Sequence, residues 1–237
     1  MVEIGYTNEY EVRSESYPFP GQSGFSVLYL SDLHVNQYSS TLIDNLEVSI
    51  NSLNPSVVLL GGDYIDSKGG IKHFQRLLAF LSQRSHVFAI AGNHDYFFGI
   101  KSIQKMVEDQ GITWLEGTSY EIEVNGLKVQ VTNEVSGNVS INTPIRILCV
   151  HQPINPEQIQ GKYQLVLAGH LHGCQVVLWE TEKGLYPGRW FYRRNFLKAN
   201  LENCLYLISK GLGDTLPIRY NCKKDILLVT IGNPVLL

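Results

Sequence analysis

Three features of this sequence predict an α/β fold in which two sheets pack face to face around a βαβαβ core flanked by helices. Short β-rich apolar runs end abruptly in polar side chains, helix-period segments separate the first of these runs, and a strand-like region with a tight hairpin follows. Phe25–Leu30 ends in Asp32-Leu33-His34, residues 56–60 end in Gly61-Gly62-Asp63-Tyr64-Ile65-Asp66, and residues 86–91 end in Gly92-Asn93-His94-Asp95. Further on, residues 145–150 end in His151 and residues 164–168 in Gly169-His170-Leu171-His172.

Residues 1–24 are polar and alternate weakly from Tyr10 to Ser16. With Pro18, Pro20 and Gly21 they predict an edge strand and a turn leading into the first core strand. Past Asp32-Leu33-His34, Ser39 or Ser40 can cap a helix that carries Leu42, Leu46, Ile50 and Leu53 on one face, and Asn54-Pro55 ends it. The second strand follows at once, so that 31 residues separate Asp32 from Asp63. The pattern repeats after Gly69-Gly70, where Ile71, Phe74, Leu77, Leu78 and Leu81 share a face and Asn93 comes 30 residues after Asp63. Two right-handed crossovers in succession make a parallel sheet with covering helices.

A helix over residues 100–110 stops at Gly111, a left-handed position. Residues 121–132 alternate around Asn125-Gly126, a strong hairpin signal, and a second, more antiparallel layer begins near residue 113. Between the fourth and fifth motif strands, residues 153–161 suit a turn or short helix. Residues 175–179, 204–209 and 225–231 read as strands that complete the second sheet. No repeat, heptad pattern or low-complexity linker divides the chain, so residues 1–237 are read as one domain.

With 44% hydrophobic and 17% charged residues, the composition is that of a folded globular protein and excludes a disordered or fibrous one. A net charge of -3 argues against a protein built mainly to hold nucleic-acid phosphates. Cys149, Cys174, Cys204 and Cys222 lie far apart with no Cys-x-x-Cys, which points to a reducing compartment. There is no signal-peptide pattern and no apolar run near the ~18 residues a membrane helix needs. The expected location is cytoplasmic, with peripheral contact at a membrane surface allowed and no obligate protein partner inferred.

The motifs together offer Asp32, His34, Asp63, Asn93, His151, His170 and His172: two carboxylates, one amide oxygen and four imidazoles. That set exceeds one tetrahedral zinc and matches two five- or six-coordinate divalent ions sharing a carboxylate. Asp-x-His and His-x-His place both side chains on one side if the backbone stays strand-like. The glycines before Asp63, Asn93 and His170 permit close approach of the backbone. Five of the seven histidines fall in these motifs, and His73 and His86, which do not, read as surface or capping residues.

This ordered series, Asp32-Leu33-His34, Gly62-Asp63-Tyr64-Ile65-Asp66, Gly92-Asn93-His94-Asp95, His151 and Gly169-His170-Leu171-His172, resembles the calcineurin-like metallophosphoesterase superfamily. Gly92-Asn93-His94-Asp95-Tyr96, Leu167-Ala168-Gly169-His170 and the tail Gly211-Leu212-Gly213 with Leu216-Pro217-Ile218-Arg219 look like the bacterial branch of YkuE-type phosphoesterases. That branch is similar to enzymes that cleave the pyrophosphate of UDP-2,3-diacylglucosamine in lipid A synthesis. Its members often carry an N-terminal membrane anchor or export signal, which this sequence lacks.

The resemblance implies one metal on Asp32, His34 and His172, a second on Asn93, His151 and His170, and Asp63 bridging them. It implies catalytic roles for Asp63, for His94 as proton donor to the leaving oxygen, and for Asp95 and Asp66 as groups that orient the imidazole and the loop. Two such cations lower the pKa of a bridging water and give a hydroxide aimed at phosphorus, and an imidazole is the natural donor to the departing oxygen. The ligand mix suits manganese first, with iron, zinc or cobalt as alternatives.

The expected reaction is hydrolysis of a phosphodiester or pyrophosphate bond in a small molecule, nucleotide or lipid-linked. The alternatives are a UDP-2,3-diacylglucosamine-type pyrophosphohydrolase and a non-catalytic scaffold; the filled ligand positions argue against the scaffold. Tyr96, Phe97 and Phe98 read either as an apolar wall for substrate or as anchors of the next helix. Arg219 and Lys210 are candidate phosphate contacts. Residues 186–198 interleave arginines with aromatics, a pattern that can bind phosphates and bases, rest on an anionic lipid surface, or form a solvated hairpin. Cys174 reads as a small buried side chain.

Overall fold

The computed structural model describes residues 2–5, 7–19, 24–135 and 143–232. The predicted turn residues Pro20 and Gly21 lie outside them. The chain opens with β1 (Val2–Ile4), β2 (Glu11–Tyr17) and β3 (Phe25–Leu30), then alternates α1 (Ser40–Leu53), β4 (Val57–Leu60), α2 (Ile71–Leu81) and β5 (Val87–Ala89). The short α3 (Asn93–Phe98) and α4 (Ile100–Glu108) lead to β6 (Thr113–Trp114). Next come β7 (Ser119–Val124), β8 (Leu127–Thr132), β9 (Ile145–Cys149) and β10 (Leu165–Ala168). The chain continues through β11 (Val177–Thr181), β12 (Gly184–Pro187), α5 (Gly188–Phe191), β13 (Lys198–Leu201), β14 (Cys204–Ile208), β15 (Ile218–Tyr220) and β16 (Asp225–Ile231).

Two six-stranded sheets form the sandwich. The first runs β2-β16-β3-β4-β5-β6, with β3 to β6 parallel as the two crossovers require. The second runs β13-β14-β10-β9-β8-β7. Its four inner strands are parallel and only the edge pairings, β13 with β14 and β7 with β8, are antiparallel. The expectation of a more antiparallel second layer therefore holds at the edges alone, where hairpins join neighbouring strands.

Strand periodicity sorts the core. Val27, Tyr29, Val57 and Leu59 face Val129, Val131, Ile147 and Leu167 between the sheets, whereas the alternate residues Leu28, Leu30, Val58 and Leu60 face Leu46, Ile50, Phe74 and Leu77 of α1 and α2. Strands buried on both faces read as continuous apolar runs, which is why no polar alternation marks them. The outer face of the second sheet is covered by Ile159 and Tyr163 from the loop before β10, with a single 3-10 turn at Pro156–Gln158.

Two late strands depart from the expected placement. β16 joins the first sheet, between β2 and β3, and pairs parallel to one and antiparallel to the other. β11 belongs to neither large sheet: it pairs with β12 in a separate ribbon, and β1 and β15 form another. Of the three late runs, only Cys204–Ile208 completes the second sheet. His73 is buried in α2, with its Nε2 lacking a hydrogen-bond partner, so its reading as a surface residue is corrected.

Candidate metal centre

The parallel strands of both sheets end on the same side, and the side chains that follow those ends meet there, with Asp63, His170 and His172 lining a cleft of about 340 Å³. Asp32, Asp63 and Asn93 follow β3, β4 and β5 of the first sheet; His151 and His170 follow β9 and β10 of the second. The site thus spans the sandwich.

Donor atoms gather in two principal groups, Asp32 with His34 and His172, and Asp63 with His151 and His170. His172 Nε2 lies 3.6 Å from Asp32 Oδ1. His151 Nε2 lies 3.2 Å from Asp63 Oδ2, 2.9 Å from Asn93 Oδ1 and 3.2 Å from His170 Nδ1. Asp63 also stands 3.8 Å from His34 Nε2, which places it between the groups. A third group joins His34 to Asp66 and His94.

The His and Asp clusters fit divalent cations. His34 Nε2 is buried and has no hydrogen-bond partner among the described residues, an arrangement that costs energy unless something else occupies its lone pair. The other ring nitrogens that could compete are already engaged: His34 Nδ1 on Asp66 Oδ1 at 2.6 Å, His151 Nδ1 on the Gly61 carbonyl at 2.8 Å, and His172 Nδ1 on the Gly213 carbonyl at 3.1 Å. Such outer partners fix the tautomer that leaves Nε2 free to ligate. The donors are nitrogen and oxygen with no thiolate, which suits manganese, iron, zinc or cobalt.

Backbone conformation brings the ligands together differently from the extended alternation expected. Asp32 (φ 53°), His34 (φ 44°), Asp63 (φ 58°), His170 (φ 72°) and His172 (φ 49°) all adopt left-handed conformations. Each such conformation is costly for a residue with a Cβ, and surrounding bonds hold them. Asp32 N–H donates to the Gly62 carbonyl and His34 N–H to the Asp63 carbonyl, both at 3.0 Å, while His170 N–H donates to the Asp32 carboxylate. A Cβ at Gly92 would lie 2.2 Å from Asp63 Oδ1, and one at Gly169 would lie 2.3 Å from Asp32 Oδ2, so only glycine allows the approach.

Electrostatics follow from burial and pairing. For Asp63, burial opposes ionisation, but His151, His34 and the His94 amide outweigh it and bring the pKa to about 2. Asp32 is likewise lowered, burial being outweighed by His172, His151 and His34. Burial would lower His151, yet its contacts with Asp63 and Asp32 raise it to about 9, whereas His172, mainly through burial, falls to about 4. Burial and the neighbouring His151 also lower His170. His34 moves up despite burial because Asp66 is bonded to it. Both carboxylates are therefore anionic at neutral pH, and a cation taken up at His151 would displace a proton.

The remaining predicted site residues divide. The His94 imidazole borders the cleft, its Nδ1 3.9 Å from Asp66 Oδ1, and its amide donates to Asp63 Oδ1 at 2.7 Å. Asp95 does not orient that imidazole: its carboxylate accepts from the amides of Gly92, Asp63 and Tyr64. It fastens the second and third motif loops together, and burial raises its pKa to about 6.

Arg219 is buried and does not face the cleft. Its guanidinium donates to Asp214 and to the carbonyls of Lys210, Gly213 and Cys222, behind His172. Lys210 is buried on Glu11, so neither cation is free to meet a phosphate. Tyr96 and Phe97 are exposed, and the helix-anchor reading holds for Phe98 alone. Phe97 stands beside His94, and Tyr96 lines a smaller cavity of about 150 Å³ with Trp114 and His151. Cys174 is half-buried. The Gly61 and Gly213 carbonyls and the cleft walls Thr215 and Leu216 were not singled out from the sequence, although Gly61, Gly213 and Leu216 stand within its motifs; Thr215 carried no signal.

Comparison with known proteins agrees with this geometry. Residues 25–174 match the model of the family described as calcineurin-like phosphoesterase. The chain is 25% identical to phosphodiesterase YaeI of Escherichia coli, over 87% of this chain and 82% of that protein. It is 26% identical to the uncharacterized metallophosphoesterase YkuE of Bacillus subtilis, over 95% and 85% respectively. Among solved structures, the sulfate thiohydrolase SoxB of Thermus thermophilus shares the fold, with a TM-score of 0.51 at 10% identity over 83% of this chain and 53% of that one.

Proposed function

The chain belongs to the calcineurin-like phosphoesterase family, and from that premise we propose that it hydrolyses a phosphodiester or pyrophosphate bond with two divalent cations. Asp32, His34 and His172 would hold one cation and Asn93, His151 and His170 the other, with Asp63 shared. The observation that carries this reading is the convergence of two donor groups on Asp63, with the buried His34 Nε2 left unpartnered. When bound, the cations supply neutralisation of the phosphoryl oxygens and a water of lowered pKa. Manganese is the preferred metal, with iron, zinc or cobalt admitted by the same donors.

The protein's own groups do the rest. Asp66 holds His34 in one tautomer, and Asp95 locks the loops that carry Asp63 and Asn93. His94, with a side chain that is 41% exposed at the cleft, can pass a proton to the departing oxygen. A diester or pyrophosphate is supported by the name of the YaeI relative and by a cleft bordered on its far side by Tyr192 and Leu216. Those two side chains also favour a second reading, a pyrophosphohydrolase of the UDP-2,3-diacylglucosamine type, because they offer an apolar wall to an acyl chain. A scaffold that has lost its metals would not keep all seven donors and His94.

The test is metal content and the initial rate on bis-p-nitrophenyl phosphate for the chelated and manganese-reloaded protein and two variants. Asp63→Asn is expected to lose metal and activity together. His94→Ala should keep its metal and lose roughly 10²–10⁴ in turnover. Equal metal loss in both variants would remove His94 from the proton-donor role, and a folded, reloaded wild type without turnover on diesters or pyrophosphates would overturn the reading.

A further inference from the structure

We propose that the face built by β11, β12 and α5, beside the mouth of the cleft, docks on an anionic lipid bilayer. The proposal concerns binding and is independent of which bond the site cleaves. Five large apolar side chains are exposed within fifteen residues here: Leu178, Trp179, Trp190 (66%), Phe191 (78%) and Tyr192. Exposed aliphatic and aromatic groups at this density mark an interaction surface. Tyr192 belongs both to this face and to the wall of the cleft, so whatever covers the face lies against the substrate entrance.

Charge identifies the occupant. Residues 177–194 carry four lysines and arginines against two glutamates, whereas the rest of the chain carries fifteen against twenty. The molecule is thus polarised, with an apolar, basic face on an otherwise acidic body. Aromatic rings with nearby arginines are the composition that settles at the headgroup level of an anionic membrane. A second copy fits less well, because an isologous contact would set Arg193 and Arg194 against a copy of the same basic face. A nucleic acid fits less well too. Trp179, Tyr186 and Trp190 pack on one another with ring centroids 5.2, 5.5 and 5.8 Å apart, which leaves no slot between them for a base. No helix among the described residues is long and apolar enough to cross a membrane, so the contact would be peripheral.

The experiment is co-sedimentation of the manganese-loaded full chain with extruded vesicles of phosphatidylcholine alone or mixed with phosphatidylglycerol. Two double variants are compared, Trp190→Ser with Phe191→Ser and Arg193→Gln with Arg194→Gln. Both pairs are exposed and outside the metal site. Melting and hydrolysis of soluble bis-p-nitrophenyl phosphate serve as controls and should match the wild type. The wild type is expected to bind the anionic vesicles and to release as salt is raised. Each double variant should partition at least roughly tenfold less. Failure of the folded wild type to bind, equal binding to neutral vesicles, or wild-type partition by both variants would overturn the proposal. So would a concentration-dependent dimer abolished by the same substitutions, or binding to a single-stranded oligonucleotide that outcompetes the vesicles.

Discussion

The candidate donors that the structure gathers were legible in the sequence because each stands within four residues of the end of an apolar run, where chain direction alone brings parallel strand ends together. Arg219 and Asp95 were not, because a charge in a sequence does not reveal which distant carbonyls and amides will surround it. The guanidinium of Arg219 is enclosed with Asp214, which in turn bonds Lys224 at 2.6 Å. Removing the guanidinium leaves Asp214 paired with Lys224 but strips the buried carbonyls of Lys210, Gly213 and Cys222 of their donor. Arg219→Met should therefore destabilise the fold by roughly 1–3 kcal/mol in urea denaturation. A residue that merely contacted phosphate would raise KM and leave the unfolding midpoint unchanged. The same limit applies to the left-handed turns at Asp32 and His170: spacing suggested the same side of a strand, and only the hydrogen bonds around them show how that outcome is reached.

At the level of elements, the sequence announced which segments become strands more reliably than it announced their neighbours. The βαβαβ half is local, since each crossover sets the next strand beside the last, and it folds as expected. Residues 225–231 pair with residues 11–17 and 25–29, contacts whose sequence separation leaves no trace in periodicity. β9 illustrates the division of labour within an element: Ile147 packs between the sheets and His151, just beyond its end, meets Asp63 and His170. Ile147→Ala should cost about 2–5 kcal/mol through the cavity it leaves. Metal content of the folded protein should stay at the wild-type level, because the substitution touches no donor. Loss of metal without loss of stability would show that β9 positions His151 more loosely than the packing implies.

For the molecule as a whole, the candidate site joins the two sheets, so cations bound there would stabilise the fold. A ligand present at 100 times its dissociation constant adds about 2.7 kcal/mol to the folded state. In a chain of this size that corresponds to roughly 5–10 °C in Tm. Differential scanning calorimetry of the chelated protein should show a fall of that order, reversed by manganese and not by calcium. An unchanged Tm would mean that the donors hold their geometry without help from a cation.

The placement of β16 between β2 and β3 has a consequence for biosynthesis. A ribosome delivers β3, β4 and β5 early, yet the flank of β3 stays open until residues 225–231 emerge. During that interval β3 presents an unpaired, largely apolar edge, the kind of surface that recruits a stray strand. The protein should therefore be most dependent on chaperones late in its synthesis, and nascent chains halted before residue 225 should be captured and degraded far more readily than chains released after it.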